Sequence, residues 1–509
     1  MFAGGGRGLA DVTGSKELED AQSHATKERP LTEEPHAAGV DGSEEDEEDS
    51  IAIVEAMVST ATPQRFSEDS SPPTIYVVPR DLAEGRKDSY EPEVVCIGPM
   101  FGRGDREKEA RYRLEQYKQC CARKLIVNAA AVAAAAPAGA WIPDVHAPLF
   151  RRCFDEVKGL EQQILASYGH ATAGRGDDLA LTMLLDGCFV LHRLLKYARL
   201  ARRSSSNGRR EKAEEEDDDW TQVYGRCGIW GIVTRDMLLL KNQIPFFLLR
   251  ALFKHLRGRA DSESDGVLVE GGLHLFASLR PCPRPGSSSA IAAGDVHHLL
   301  HLFYLSIDIS PPPAAAELQA WVPCAKELEE AGVSFRAASK QQGRSFLDVS
   351  FRGGVLEIPP LELYDYSEAL FRNLVAFEQT YLLTPGHVTA YAVFMDCLVK
   401  TREDVRLLHH SGVLVSHMNG ERDVAKDFFS RVCAQAHIFP DRNHLAGVMA
   451  DVVRYQSGKW PQWRAALVRD YFGNPWVTIS FVAAFFLLVM TVLQTFFAVY
   501  GYFKPRGNN

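Results

Sequence analysis

The sequence predicts a mainly α-helical body with a minor β component, an α+β chain that carries one C-terminal transmembrane helix. Three observations support this. Apolar residues recur at helical spacing through most of residues 71–470. Around Arg352-Gly353-Gly354 they alternate with polar residues instead. The stretch Pro475–Phe503, PWVTISFVAAFFLLVMTVLQTFFAVYGYF, has no charged side chain and is long enough for a hydrocarbon core of about 30 Å.

The formal net charge of −10 belongs to one end of the chain. Residues 1–70 hold 17 Asp+Glu against 5 Lys+Arg, whereas the remainder holds 49 against 51. Such a polar, acidic segment, with SEEDEEDS at Ser43–Ser50, cannot bury enough apolar surface to offset its ordering entropy, so a disordered N-terminal tail is expected. Ser43, followed by Glu44, Glu45 and Asp46, has the surroundings of an acidophilic kinase site. Ile51, Val54 and Val58 share a helical face, which favours a short docking helix over an extended strand added to a partner's sheet edge. Nowhere are Lys and Arg concentrated as a nucleic-acid binder requires.

The ten cysteines run from Cys96 to Cys433 without a CxxC pair, and the chain has no Asn-x-Ser/Thr acceptor. That spacing suits reduced thiols in the cytosol better than a zinc site or a disulfide framework. The N-terminus lacks the apolar core of a secretory signal.

Along the body, TIYVVPRDL and EPEVVCIGP are expected as short extended pieces closed by prolines, followed by a helix over Asp105–Lys124. Leu179–Leu200 predicts a buried helix. Polar or low-complexity loops are expected near 129–140, where Pro137 stops a helix, near 202–219 and near 257–293. These interruptions decorate one helical body rather than dividing it into domains. Leu347–Leu361 predicts a hairpin whose turn uses the left-handed freedom of Gly353 and Gly354. Helical patterns follow, and Thr401 and Asp404 have capping-box spacing.

Trp476, Tyr500 and Tyr502 are placed as an interfacial belt around the apolar span 475–503. Lys459, Arg464 and Arg469 precede the span, and Lys504 and Arg506 follow it, a bias that puts the body in the cytosol. With a short tail at 504–509, the expectation is a single-pass, tail-anchored protein, the plasma membrane being one candidate location. Gln494 is placed to hydrogen-bond a neighbouring helix in lipid, which would make a homo-oligomer.

The candidates for chemistry each have a plainer structural explanation. No GxxxxGK[ST], HExxH or GxSxG occurs. His297 and His301 stand one helical turn apart and could share a metal, but no third ligand is evident. Cys188 lies near Asp186, although a thiol in so apolar a helix suits packing. Glu378 and Asp396 are carboxylates on apolar helices, where bonds to backbone donors or Arg are the expected fate. In LLLKNQIPFFLL, Pro245 disfavours helix at Ile244, so one element should end near Asn242 and another begin near Pro245. Asn242 and Gln243 then satisfy the backbone at that joint, beside Lys241. No catalytic, cofactor-binding or metal-ligating residue is assigned.

Several stretches, in order, resemble the plant domain-of-unknown-function 247 family: IYVVP, YEPEVVCIGP, MLLDGCFVLHRLL, RDMLLLKNQIPFFLLRALF, ELEEAGVSF, LDVSFRGGVLEIPPL, FRNLVAFEQ, TREDVRLL and the C-terminal DYFGNPWVTISFVAAFFLLVMTVLQTFFAVY. Together they cover most of Ile75–Tyr500. The resemblance implies plant origin, membrane association through the C-terminal helix and no established enzymatic activity. Some members are linked to grass self-incompatibility as pollen-side recognition determinants. Two departures stand out: MFGRG replaces a His-rich turn after IGP, and Lys241 replaces the acidic residue before NQIP. The expected function is that of a membrane-anchored interaction or recognition component, bound to lipid through its helix and to a protein partner through its body. The alternative is a membrane-proximal enzyme acting on a small or lipid-soluble substrate through Cys188 or the Glu378 and Asp396 carboxylates.

Overall fold

The computed structural model describes residues 72–111, 113–134, 141–170, 172, 174–205, 228–257, 264–281, 291–307, 321–338, 345–418, 422–439, 442–467 and 475–503. The acidic tail, Ser43 and Ile51–Val58 lie outside these residues. In chain order the first half comprises α1 (Arg80–Ala83), α2 (Arg103–Arg111), α3 (Leu114–Ala134), α4 (Pro143–Gly159), α5 (Glu161–Ala166), α6 (Gly176–Ser205), α7 (Ile229–Asp236), α8 (Phe246–Leu256), α9 (Gly266–Leu275) and α10 (Leu299–Ile307). The second half comprises α11 (Ala325–Glu330), β1 (Ser334–Ala337), β2 (Ser350–Arg352), β3 (Val355–Ile358), β4 (Leu361–Leu363), α12 (Ser367–Thr380), α13 (His387–Leu398), α14 (Arg402–His410), β5 (Leu414–Ser416), α15 (Arg422–Val432), α16 (Ala446–Gln456) and α17 (Lys459–Leu467). The C-terminal helix is α18 (Pro475–Phe503).

The first half is organised around α6, against which α3, α4, α8 and α9 all pack. Met183, Leu184, Cys188, Val190, Leu191 and Leu194 of α6 are completely buried, and their spacing covers so much of the helix circumference that it needs neighbours on several sides. The approach of α9 is closest at Gly271, where an added Cβ would stand 2.0 Å from the Leu194 carbonyl oxygen. Only a residue without a side chain lets the two backbones meet there.

The second half folds around α12, α13 and α15, with Phe371, Phe377, Phe394 and Phe428 fully buried. A small sheet has β3 at its centre, parallel to β1 and antiparallel to β2, with Phe351 opposite Leu356. The β2–β3 turn places Gly353 and Gly354 at φ 57° and 82°. A second pair, β4 and β5, is parallel, with Leu361 opposite Leu414. At the start of α14, Thr401 accepts the Asp404 N–H and Asp404 accepts the Thr401 N–H, forming a capping box. One continuous hydrophobic core joins the two halves.

Four expectations about element boundaries are corrected. The helix expected over Asp105–Lys124 is two, α2 and α3, with Arg113 left-handed at φ 54° between them. The alanine-rich stretch continues α3 to Ala134, because alanine is the strongest helix former and meets no breaker before Pro137; residues 135–140 lie outside the described set. Within 257–293, expected to be irregular, Gly266–Leu275 is a helix, its two weak helix formers Gly271 and Gly272 tolerated because each lies against α6 or α10. The element before NQIP ends at Asp236 rather than near Asn242, and turns fill the interval.

Gly271→Ala is expected to destabilise the protein by about 1–3 kcal/mol, as overpacking against a backbone group does. Gly231→Ala, on α7 with no atom near the new Cβ, is expected to be neutral or slightly stabilising. Thermal unfolding followed by circular dichroism distinguishes the two; equal midpoints would refute the close α6–α9 approach.

Candidate functional site

Residues 93–98, EVVCIG, run from the surface at Glu93 into the interior without pairing in a sheet, so their buried backbone groups need other partners. Side chains supply them for six consecutive N–H groups. Asp236 accepts those of Glu93, Val94 and Val95 at 3.0, 2.7 and 2.9 Å. Glu109 accepts that of Cys96 at 2.7 Å, Asn242 that of Ile97 at 2.6 Å and Asp186 that of Gly98 at 3.0 Å. The carbonyls are held as well: Asn242 donates to Val95, Lys118 to Cys96 and Arg106 to Gly98. Gly98 is left-handed at φ 81°, and an added Cβ would stand 2.4 Å from the Gln243 carbonyl oxygen.

Behind this clamp lies a buried ion cluster. Lys118 reaches Glu109 at 2.8 Å and Asp186 at 2.7 Å, and Arg106 reaches Asp186 at 3.0 Å. Burial alone would push the Asp186 carboxyl up, yet Lys118 and Arg106 outweigh it and hold Asp186 below the ordinary carboxylate value. Asp236 has no such cation, and burial raises it to about 6 against the pull of the Val95, Glu93 and Val94 N–H groups.

The NQIP joint is part of the same construction. Asn242 also donates to Asp236 O, while Gln243 donates to Met237 O and Leu239 O and accepts the Leu300 N–H. The carbonyl of Gln243 takes the Tyr168 hydroxyl at 3.0 Å. Both amides therefore satisfy backbone at the turn before Pro245. Lys241 instead turns outward to Glu91 and lies 5.0 Å from the Phe101 ring centroid.

The other sequence candidates occupy separate places. Glu378 is buried and accepts from the Tyr304 hydroxyl, the Val388 N–H, and both the N–H and the hydroxyl of Thr389. It thus closes the N-terminus of α13; burial raises its carboxyl, and these four donors work against the rise. The cavity beside it measures about 10 Å³, about the room of one water molecule. Asp396 pairs with Lys400 at 2.8 Å. Cys188 is completely buried, and burial pushes its thiol far up, with Cys153 and Cys121 as its charge-sensitive neighbours. Asp186 is committed to the ion cluster, and Cys188, Glu378 and Asp396 each lie among different partners.

His297 precedes α10 rather than lying on it, yet its ring stacks on His301 at 4.7 Å. The His301 Nδ1 accepts the His297 N–H and the His298 Nδ1 accepts the His301 N–H, which leaves the Nε2 proton of His298 for Thr74 O. Burial lowers His298 well below its ordinary value and His301 to about 3. Among the described residues no three His, Cys, Asp or Glu side chains are grouped to hold a metal ion.

Beside the clamp opens a cleft of about 250 Å³, absent from the sequence expectations. Asp236, Ile232, Leu238, Leu239, Leu279 and Leu370 line it as buried residues, with Asp88, Glu91, Glu93, Arg235, Asp365 and Tyr366 nearer solvent. The Arg235 guanidinium carbon lies 4.3 Å from the Tyr366 ring centroid. Tyr364 stacks on Tyr366 at 5.4 Å, and His417 on Tyr364 at 4.8 Å.

The fold defines a mainly helical chain whose C-terminal helix is long and apolar enough to cross a membrane. The chain belongs to the DUF247 family, described as plant protein of unknown function, which matches residues 75–490. It is similar to the UPF0481 protein At3g47200 of Arabidopsis thaliana, 25% identical over 86% of this chain and 88% of that one. A second Arabidopsis thaliana UPF0481 protein, At3g02645, is 30% identical over 39% of this chain and 36% of its own length. No solved structure matches the chain.

Asn242→Ala orphans one N–H and two carbonyls in the interior, so a loss on the order of 3–5 kcal/mol is expected. Lys241→Ala, which breaks a half-exposed pair, is expected to cost less than about 1 kcal/mol. Denaturant titration of both variants checks this, and equal losses would contradict the assignment. His301 is kept neutral by burial, so its contribution is intact above the unfolded value near 6.5 and is lost as pH falls toward about 3. His301→Gln should therefore flatten the acid limb of stability against pH, by roughly 3 kcal/mol at pH 4.

Proposed function

We propose that this protein is a membrane-anchored interaction component whose helical body binds another protein on the cytosolic side. The observation that carries this reading is α18. Between Ile479 and Tyr500 it spans 22 residues, none of them buried. A straight helix of that length extends about 33 Å, enough for a hydrocarbon core of about 30 Å. So many exposed Phe, Leu and Val side chains are incompatible with water unless lipid or another helix covers them. The basic residues preceding the span favour a cytosolic body. Gln494, exposed on α18, supplies a polar contact for a second copy in lipid. The finer form of the reading, recognition of the self-incompatibility kind, rests on the family resemblance and on no residue of this chain.

The test uses the full chain, tagged at both ends and expressed in plant cells. It is expected to stay with membranes after alkaline carbonate washing, and deletion of 475–503 should release it. On sealed vesicles, protease should remove the N-terminal tag and spare the C-terminal one. Release of the intact chain by carbonate would refute the anchor, and the opposite protection pattern would refute the cytosolic body.

A further inference from the structure

We propose that the cleft beside the clamp binds an arginine side chain presented by an extended segment of the partner protein. This rests on the interaction reading and specifies the partner's chemistry. Charge is the first argument. The acidic residues Asp88, Glu91, Glu93, Asp236 and Asp365 line the cleft, all but Asp236 exposed, and Arg235 is the one basic lining residue among those described. Lys241 reaches Glu91 without lining the cavity. Yet among the described residues these carboxylates do not group as a metal site. Negative charge spread over a wall suits the planar, multi-donor fork of a guanidinium better than a point ion.

The shape and floor agree. At about 250 Å³ the cleft is smaller than the ~300–1,000 Å³ of pockets for drug-sized ligands, so it suits a single side chain. Ile232, Leu239 and Leu370 in the lining are apolar contacts for an aliphatic stem, while the exposed carboxylates meet its charged end. The seat of Arg235 against Tyr366 shows that a guanidinium is compatible with this wall. Exposed acids at the rim also let the donor chain lie across the surface, as a peptide does and a free amine does not require. Asp236 links the cleft to the clamp, since the residue lines the cleft while its carboxylate holds the N–H groups of Glu93, Val94 and Val95. A bound cation would stabilise its ionised form and tighten the clamp.

The full chain in detergent micelles is titrated with a fluorescein-labelled peptide alternating Arg and Ser, with its citrulline and lysine counterparts, and with unlabelled spermine as competitor. Fluorescence anisotropy is expected to show binding of the arginine peptide, about ten-fold weaker binding of the neutral citrulline peptide and weaker binding of the lysine peptide. Combined Asp88→Asn, Glu93→Gln and Asp365→Asn should weaken the arginine peptide about ten-fold. Combined Glu327→Gln, Glu403→Gln and Asp451→Asn, which remove equal charge from exposed positions outside the cleft, should leave it unchanged. Circular dichroism melts confirm that both variants fold. The proposal is overturned by absent arginine-peptide binding, by equal citrulline or lysine binding, by equal losses in the two variants, or by spermine binding without peptide binding. Because the assay needs no bilayer, it fails or succeeds independently of the carbonate test of the anchor.

Discussion

Six successive backbone N–H groups, those of residues 93–98, are carried from the surface at Glu93 into the interior on side-chain oxygens. Buried amides cannot be left without partners, and here no strand provides them. The oxygens come from α2, α6, the end of α7 and the turn after it, so the position of each element is tied to one short stretch of chain. Three carboxylates are buried in this arrangement, and the fold supplies cations to two of them through Lys118 and Arg106. Asp236, the third, relies on backbone dipoles and sits at the wall of the cleft. Architecture and the cleft therefore share a residue.

The features legible in the sequence were local ones. The hairpin was announced by alternation around Gly353 and Gly354, the start of α14 by Thr401 and Asp404, and the apolar C-terminal helix by its lack of charge. The role of Asn242 and Gln243 followed from Pro245, which forces a break and so creates backbone groups to satisfy. What escaped was long-range. Lys118 repeats the spacing of Leu114, Cys121 and Leu125 on the buried face of α3, a signal present in the sequence but with no indication of its partners. Asp236 carried no signal in the sequence, because its three N–H donors lie more than 140 positions earlier. Helix α9 was hidden by two glycines whose purpose, close backbone approach, exists only once α6 and α10 are beside them.

Side chains that invite catalytic interpretation are largely absorbed by this architecture. Glu378 anchors the start of a helix, Asp186 balances two cations, Cys188 is packed among apolar neighbours, and the histidines near α10 are kept neutral by desolvation. Each is an ionisable group whose environment is strongly perturbed for structural reasons, a reminder that such perturbation marks functional sites only on average. The cleft differs in kind, since acidic residues, the Tyr366 ring and apolar side chains line it together.

The clamp also orders events in time. Ile97 must meet Asn242 across 145 residues of sequence, and Ser89 must meet Asn373 across 284. Contacts of such separation close long loops and slow the search for the native state. During synthesis the segment 93–98 emerges before Asp186, Asp236 and Asn242, so its N–H groups lack these partners until the chain has grown past α7. The Ser89 carbonyl waits longer, until Asn373 of α12 is made, and late-closing contacts of this kind prolong the exposure of unsatisfied groups during folding.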